Sequence, residues 1–126
     1  MDIRKMKSEL EMTGLYFKHC SVEREPKITD EVLEMNLNRK VIKQEDGNYF
    51  VELEVRVENR DLKVLVIACA YFSFLSETGV CDDIINKNTV AIMFPFIRSQ
   101  VTLLTSQPGM QPVILPPINT AKYIDE

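Results

Sequence analysis

Residues 89–121 read TVAIMFPFIRSQVTLLTSQPGMQPVILPPINTA, and in these 33 residues Arg98 is the only charge. A solvent-facing segment of that length ordinarily carries several, so this one is either buried or an exposed apolar surface with a purpose. Val90, Phe94, Ile97, Val101 and Leu104 recur at spacings of 4, 3, 4 and 3, one face of a helix. Ile92, Phe96 and Leu103 form a second apolar line on a neighbouring face. So wide an arc needs two partners. One is a sheet built from the rest of the chain; the other is expected to be another subunit, met by Val90, Phe94, Ile97, Val101 and Leu104. The spacing predicts the main helix over 88–107, with Pro95 at its first turn or at a kink. Gln107-Pro108-Gly109 ends it. Four prolines between 108 and 117 forbid regular structure and push the residues before them toward extended geometry, so 108–119 reads as a stiff apolar loop.

Upstream the pattern changes to a period of two. Val51, Leu53, Val55 and Val57 alternate with Glu52, Glu54, Arg56 and Glu58, a half-buried strand. Leu33, Met35 and Leu37 alternate with Glu34, Asn36 and Asn38 in the same way. Asp46-Gly47 between them signals a hairpin, because glycine accepts positive φ and aspartate tolerates it. Asn59-Arg60-Asp61 turns the chain again, into a stretch from Leu62 to Leu75 that is apolar almost throughout and expected to be covered on both faces in part of its length. Thr13 to Glu25 is predicted as a first strand stopped by Pro26. The expected architecture is one α+β domain. An arm covers 1–11, a four-stranded antiparallel meander 12–76, and the long helix and loop follow.

With 126 residues, 45% hydrophobic and 27% charged, the chain has the composition of one globular domain. The net charge of −4 and pI near 5.1 argue against sequence-independent nucleic-acid binding, which needs a basic surface. The N-terminus leads into charge and shows no secretory signal, and the longest strongly apolar run is too short to span a bilayer, so no membrane insertion is expected. Cys20, Cys69 and Cys81 are odd in number, lack metal-ligand spacing and read as free thiols of a cytoplasmic protein. His19, the only histidine, has no carboxylate nearby in sequence to orient it as a base, and there is no glycine-rich phosphate loop. Neither an enzyme nor a cofactor is expected.

Several segments together resemble the SecB family of tetrameric protein-export chaperones. Met93-Phe94-Pro95-Phe96-Ile97-Arg98 is similar to the family's Leu-Phe-Pro-Tyr-x-Arg opening of its main helix, and Pro112-Val113-Ile114-Leu115-Pro116-Pro117-Ile118-Asn119 to its Pro-x-Leu-x-Leu-x-Pro-Val-Asn loop. Tyr71-Phe72-Ser73-Phe74 resembles the end of its fourth strand, and Leu33-Glu34-Met35-Asn36-Leu37 its second. Order and spacing agree from roughly residue 11 to 119. The resemblance implies a sheet packed on a long helix and a homotetramer assembled as a dimer of dimers. It also implies an ATP-independent holdase for unfolded preproteins.

Such a holdase recognises what folding would bury, and each well-buried large side chain of a client contributes about 1.5–3 kcal/mol. Met110, Val113, Ile114 and Leu115 are the loop residues expected to bind client. The resemblance adds Leu33, Met35 and Leu37, with Phe72 and Phe74, as groove-lining positions, although an apolar strand residue is more often core than groove. It also implies a contact with the translocation motor SecA through Glu23; His19 stands where the family's other acidic position falls. The sequence ends at Glu126, before most of the family's second helix and tail. Some family members serve toxin–antitoxin pairs, and a short member of that kind is an alternative, as is an interaction module docking one fixed partner. A hotdog-type enzyme would place its helix before most of its strands; here the helix comes after them.

Overall fold

The turn at Asp46-Gly47 forms as its chemistry predicts. Gly47 sits at φ 84°, its N–H donates to Gln44 C=O, and Asp46 Oδ1 accepts the N–H of Asn48 at 2.9 Å. The computed structural model describes residues 10–27, 32–74, 82–109 and 111–117, the side chains of 74 and 82–87 excepted. It contains β1 (Leu10–Arg24), β2 (Glu34–Lys43), β3 (Tyr49–Glu58), β4 (Leu62–Phe74) and α1 (Asp82–Thr105). The β3–β4 turn is held by one side chain: Asn59 Oδ1 accepts from the N–H groups of Asp61 and Leu62, each at 2.8 Å.

All pairings are antiparallel, but the sheet order is β1-β4-β3-β2. Only β2, β3 and β4 follow one another as a meander. The first strand lies beside the fourth, in Greek-key order. The physical reason lies in the sequence after β1: residues 25–33 carry Pro26 and no Asn-Gly or Asp-Gly hairpin signal, so no tight-turn chemistry draws β1 against β2. The N–H of Glu25 donates to Asp61 C=O at 2.8 Å and ties the end of β1 to the β3–β4 turn.

β1 starts earlier than expected and carries two register shifts, one between Met12 and Gly14 and one between Phe17 and His19. Each extra residue flips the strand's parity. Its partly buried apolar residues, Met12, Leu15, Phe17, Cys20 and Val22, therefore all stay on one face although their numbers change parity twice.

That face meets α1. The core is made by Val51, Leu53, Val55 and Val57 of β3, Leu62 to Phe72 of β4 at alternate positions, and Val90, Met93, Phe94, Ile97 and Val101 of the helix. Ala68 and Ala70 are the small members of that core on β4. α1 rests mainly on β4 and β1 and less on β3. It begins six residues before the expected start, so Pro95 lies inside it and not at its first turn. Proline there leaves Ala91 C=O without its helical donor, and both residues are on the exposed side, where water serves. The helix ends at Thr105, two residues before Gln107, and Gly109 follows at φ 74°.

This packing corrects two expectations. Val90, Phe94, Ile97 and Val101 are at most 3% exposed beneath the chain's own sheet, so they are not the face left for another subunit; Leu104 is partly buried against the same core. Phe72 is fully buried, because it lies on the inward side of β4 in register with Met12 and Tyr49, and is therefore core and not groove lining. Among the described side chains of the helix, the large apolar ones left outside are Phe96 and Leu103, with Ile92 half-buried on the same side.

Candidate functional site

The segment 111–117 has no regular secondary structure, yet it is pinned along α1. Arg98 Nε donates to Leu115 C=O at 2.9 Å, Thr102 Oγ1 donates to Val113 C=O at 2.8 Å, and Val113 N–H donates to Thr105 Oγ1 at 2.8 Å. The three residues stand at i, i+4 and i+7, one flank of the helix. Thr105 is fully buried and also donates to Val101 C=O at 2.9 Å, so its hydroxyl is satisfied in both senses. The side chains of the segment alternate: Val113 half-buried, Ile114 74% exposed, Leu115 7% exposed. This is the alternation of an extended chain, and it divides the predicted loop residues. Ile114 is presented to solvent, whereas Leu115 belongs to the core cluster, so its expected role as a client contact is corrected to a structural one. Val113 packs against that cluster.

Gln100, two residues from Arg98 and so about 200° around the helix, reaches the other way: its amide donates to Cys20 Sγ on β1 at 3.6 Å. The pinned segment therefore lies on the flank away from β1, toward the β3–β2 side of the sheet. There the inner face of β2 is only partly covered, leaving Met35, Leu37 and Val41 half-buried. Leu33, just before β2, is exposed. The structure thus places Val113 and Ile114 on the flank of the helix away from β1, and Met35 and Leu37 on the inner face of β2. Met110 lies outside the described residues, as does the side chain of Phe74, whose backbone pairs with Leu10. A cleft between helix and segment is lined by Pro95, Arg98, Ser99, Thr102, Ile114 and Leu115. The sequence reading missed Arg98, Thr102 and Thr105. Their signal was polar residues at helical spacing on a helix otherwise apolar, upstream of a segment whose prolines offer carbonyls and no donors.

The outer face of the sheet is polarised. At one end Phe50 and Tyr71 pack with tilted rings, 5.2 Å between centroids. At the other, Glu23, Lys63, Glu58 and Glu34 stand side by side across β1, β4, β3 and β2. Between them Lys18 pairs with Glu52 at 3.0 Å, and that hydrogen bond holds the lysine pKa up. Cys69 is fully buried on this outer face, its Sγ 3.8 Å from Glu52 Oε1, and burial pushes its thiol above the ordinary value. Cys20 and Cys69 are both free thiols. Among the described residues no group of side chains could hold a metal ion, and no helix is long and apolar enough to cross a membrane.

The family model for the preprotein translocase subunit SecB matches residues 4–124. The chain belongs to the SecB family. It is 32% identical over 108 residues to the protein-export protein SecB of Magnetococcus marinus, an alignment covering 80% of this chain and 66% of that one. It thus spans just under two thirds of that SecB's length. A shorter stretch of 34 residues is 50% identical to an uncharacterized protein of Methanocaldococcus jannaschii, 27% of this chain and 22% of that one. Among solved structures, a Mycobacterium tuberculosis SecB-like chaperone in complex with a ChAD peptide from an antitoxin superposes with a TM-score of 0.72, at 10% identity and 92% coverage of both chains. A protein of unknown function from Streptococcus agalactiae matches at 0.58, with 6% identity and coverage of 86% and 97%. These likenesses show the SecB-like fold: a four-stranded antiparallel sheet with one C-terminal helix. SecB-family proteins are chaperones.

Proposed function

We propose that this SecB-family chain is an ATP-independent holdase that binds unfolded preproteins and keeps them competent for export. The observation that carries this reading is Ile114. A large aliphatic side chain is 74% exposed on a segment stiffened by prolines and pinned to the helix, at a cleft it shares with Pro95, Ser99 and Thr102. Such a surface loses little freedom when a client docks, and each client side chain it covers leaves water. Many weak contacts repeated on one assembly give avidity without sequence selectivity.

The assembly proposed is the homotetramer, a dimer of dimers, with Phe96, Leu103 and Ile92 on the outer side of α1 as contacts between subunits. Those three now replace the buried helix face in that role. Glu23, within the row of Glu34, Glu58 and Lys63, is the proposed point of contact for SecA, in a cytoplasm that keeps Cys20 and Cys69 reduced. A second reading is an antitoxin chaperone, favoured by the antitoxin-peptide complex of the mycobacterial protein, which matches this chain over 92% of its length.

The test is suppression of aggregation. Stoichiometric chain should keep reduced, carboxymethylated lactalbumin and a denatured preprotein in solution without nucleotide. A chain that ignores unfolded polypeptides and binds one native partner refutes the holdase reading. One that protects an antitoxin and no preprotein favours the second reading.

A further inference from the structure

The charges of the sheet are divided between its two faces. Inward and outward positions alternate along a strand, and every acid on a strand, Glu11, Glu23, Glu34, Glu52, Glu54 and Glu58, stands on the outer face. The charged residues at inner positions are Arg24, Arg39 and Lys43, paired with the buried Leu62, Leu53 and Tyr49. The helical layer adds Arg98 and no carboxylate over residues 88–109 and 111–117. A chain of net charge −4 thus carries only positive charge on the inner side of its strands and on the described side chains of the layer above them. Arg24 and Lys43 end their strands beside turns that hold Glu25 and Asp61, or Glu45 and Asp46. Arg39 lies in mid-strand, half-buried between Leu37 and Val41. β2 is an edge strand, and α1 rests on β4, β1 and less on β3, so this inner face is only partly covered.

We infer that Arg39 biases client choice toward apolar segments that carry an aspartate or glutamate, and against those that carry a lysine or arginine. The inference rests on the holdase reading and names the class of client it favours. Apolar contacts read no sequence, so discrimination among unfolded chains falls to the charge set among them. An arginine stem lies along apolar surface while its planar head stays at the wet margin. Arg39 is engaged within the protein, and a guanidinium with five N–H donors has others to offer. Their fork matches a carboxylate, and a charge-assisted bond there is stronger than a neutral one. A client ammonium at the same place meets like charge, with no acid at an inner position of β2 to offset it. Exposed charges more than about 8 Å away are largely screened, so the net charge of the chain does not decide the sign at this face.

The probe is one labelled, cysteine-free apolar peptide made in three forms, with Asp, Asn or Lys at its central position. Fluorescence anisotropy with the full-length chain reads their affinities. The Asp form is expected to bind about 3- to 10-fold tighter than the Asn form, and the Lys form to bind weaker by a similar factor. In about 1 M salt, where the screening length falls to about 3 Å, the three should converge to within about 2-fold. Arg39→Glu should invert the order, which loss of a merely structural contact would not do, and Arg39→Lys should keep it. The salt series uses the native chain and so decides the matter even where Arg39→Glu fails to fold. Equal affinities for the three forms, or tighter binding of the Lys form, overturn the inference and leave the holdase reading standing. So does an Arg39→Glu chain that keeps the preference for Asp while its mass grows by light scattering, which would make Arg39 a guard of the edge strand. Binding of none of the three forms refutes the holdase reading together with the inference.

Discussion

Leu115→Ala and Ile114→Asp, one position apart on the same segment, are expected to fail in opposite ways. Leu115 is 7% exposed, and truncation to alanine removes about three carbon groups at about 0.8 kcal/mol each. The cavity lies at the rim of the core under an exposed segment that can collapse onto it, so the total falls low in the usual range, about 2–3 kcal/mol. With an unfolding entropy of about 2.1 cal/mol/K per residue over 126 residues, that loss lowers Tm by about 8–11 °C. Ile114 is 74% exposed, so Ile114→Asp should change stability by no more than about 0.5 kcal/mol, under about 2 °C. Its effect falls on client: roughly three quarters of the side chain remains to be desolvated, which is about 1–2 kcal/mol, or about 5- to 30-fold in Kd. Melting followed by circular dichroism at equal subunit concentration reads the first quantity, and anisotropy of labelled, carboxymethylated lactalbumin reads the second. If Ile114→Asp melts early, or binds client as the native chain does, the division of the segment into an anchored side and a presenting side is wrong.

Thr105→Val should cost about 1–3 kcal/mol by denaturant titration, because it leaves the part-buried N–H of Val113 without its acceptor while preserving shape. Leu103→Glu and Phe96→Glu should reduce the mass seen by light scattering while far-ultraviolet dichroism stays native; an unchanged mass would remove the outer side of α1 from the subunit contact. Stability should fall as pH rises above about 9, where the unfolded chain releases the Cys69 proton and the folded chain, with its pKa held higher, retains it. In reducing buffer Cys69→Ala should flatten that decline, and an unaltered slope would assign it to other groups.

The strands were legible because β3 alternates cleanly and both tight turns carry their own chemistry in Gly47 and Asn59. β1 was harder. Its apolar residues change parity at Thr13 and again at Lys18, so no single period describes it until the two bulges are known. Its place beside β4 was hidden for a related reason: sequence shows which strands have tight turns between them, and β1 has none. On α1 the apolar arc was visible but its phase was not. Apolar residues on nearly every side fit more than one rotation, and only packing on the sheet selects the face of Val90, Ile97 and Val101. In the proline segment, composition marked an apolar surface. Which side chains it presents depends on three hydrogen bonds from Arg98, Thr102 and Thr105, and these join residues 8 to 17 positions apart.

The order β1-β4-β3-β2 bears on how the chain comes off the ribosome. Leu10 faces Phe74 and Arg24 faces Leu62, so the first strand made is matched only by the last. At about 5–20 residues per second, its partner is not synthesised until several seconds later. During that interval β2 and β3 can close their hairpin from local contacts, whereas β1 must wait for a distant mate. Each newborn copy thus begins with its own leading strand in the same condition as the polypeptides it is proposed to shelter.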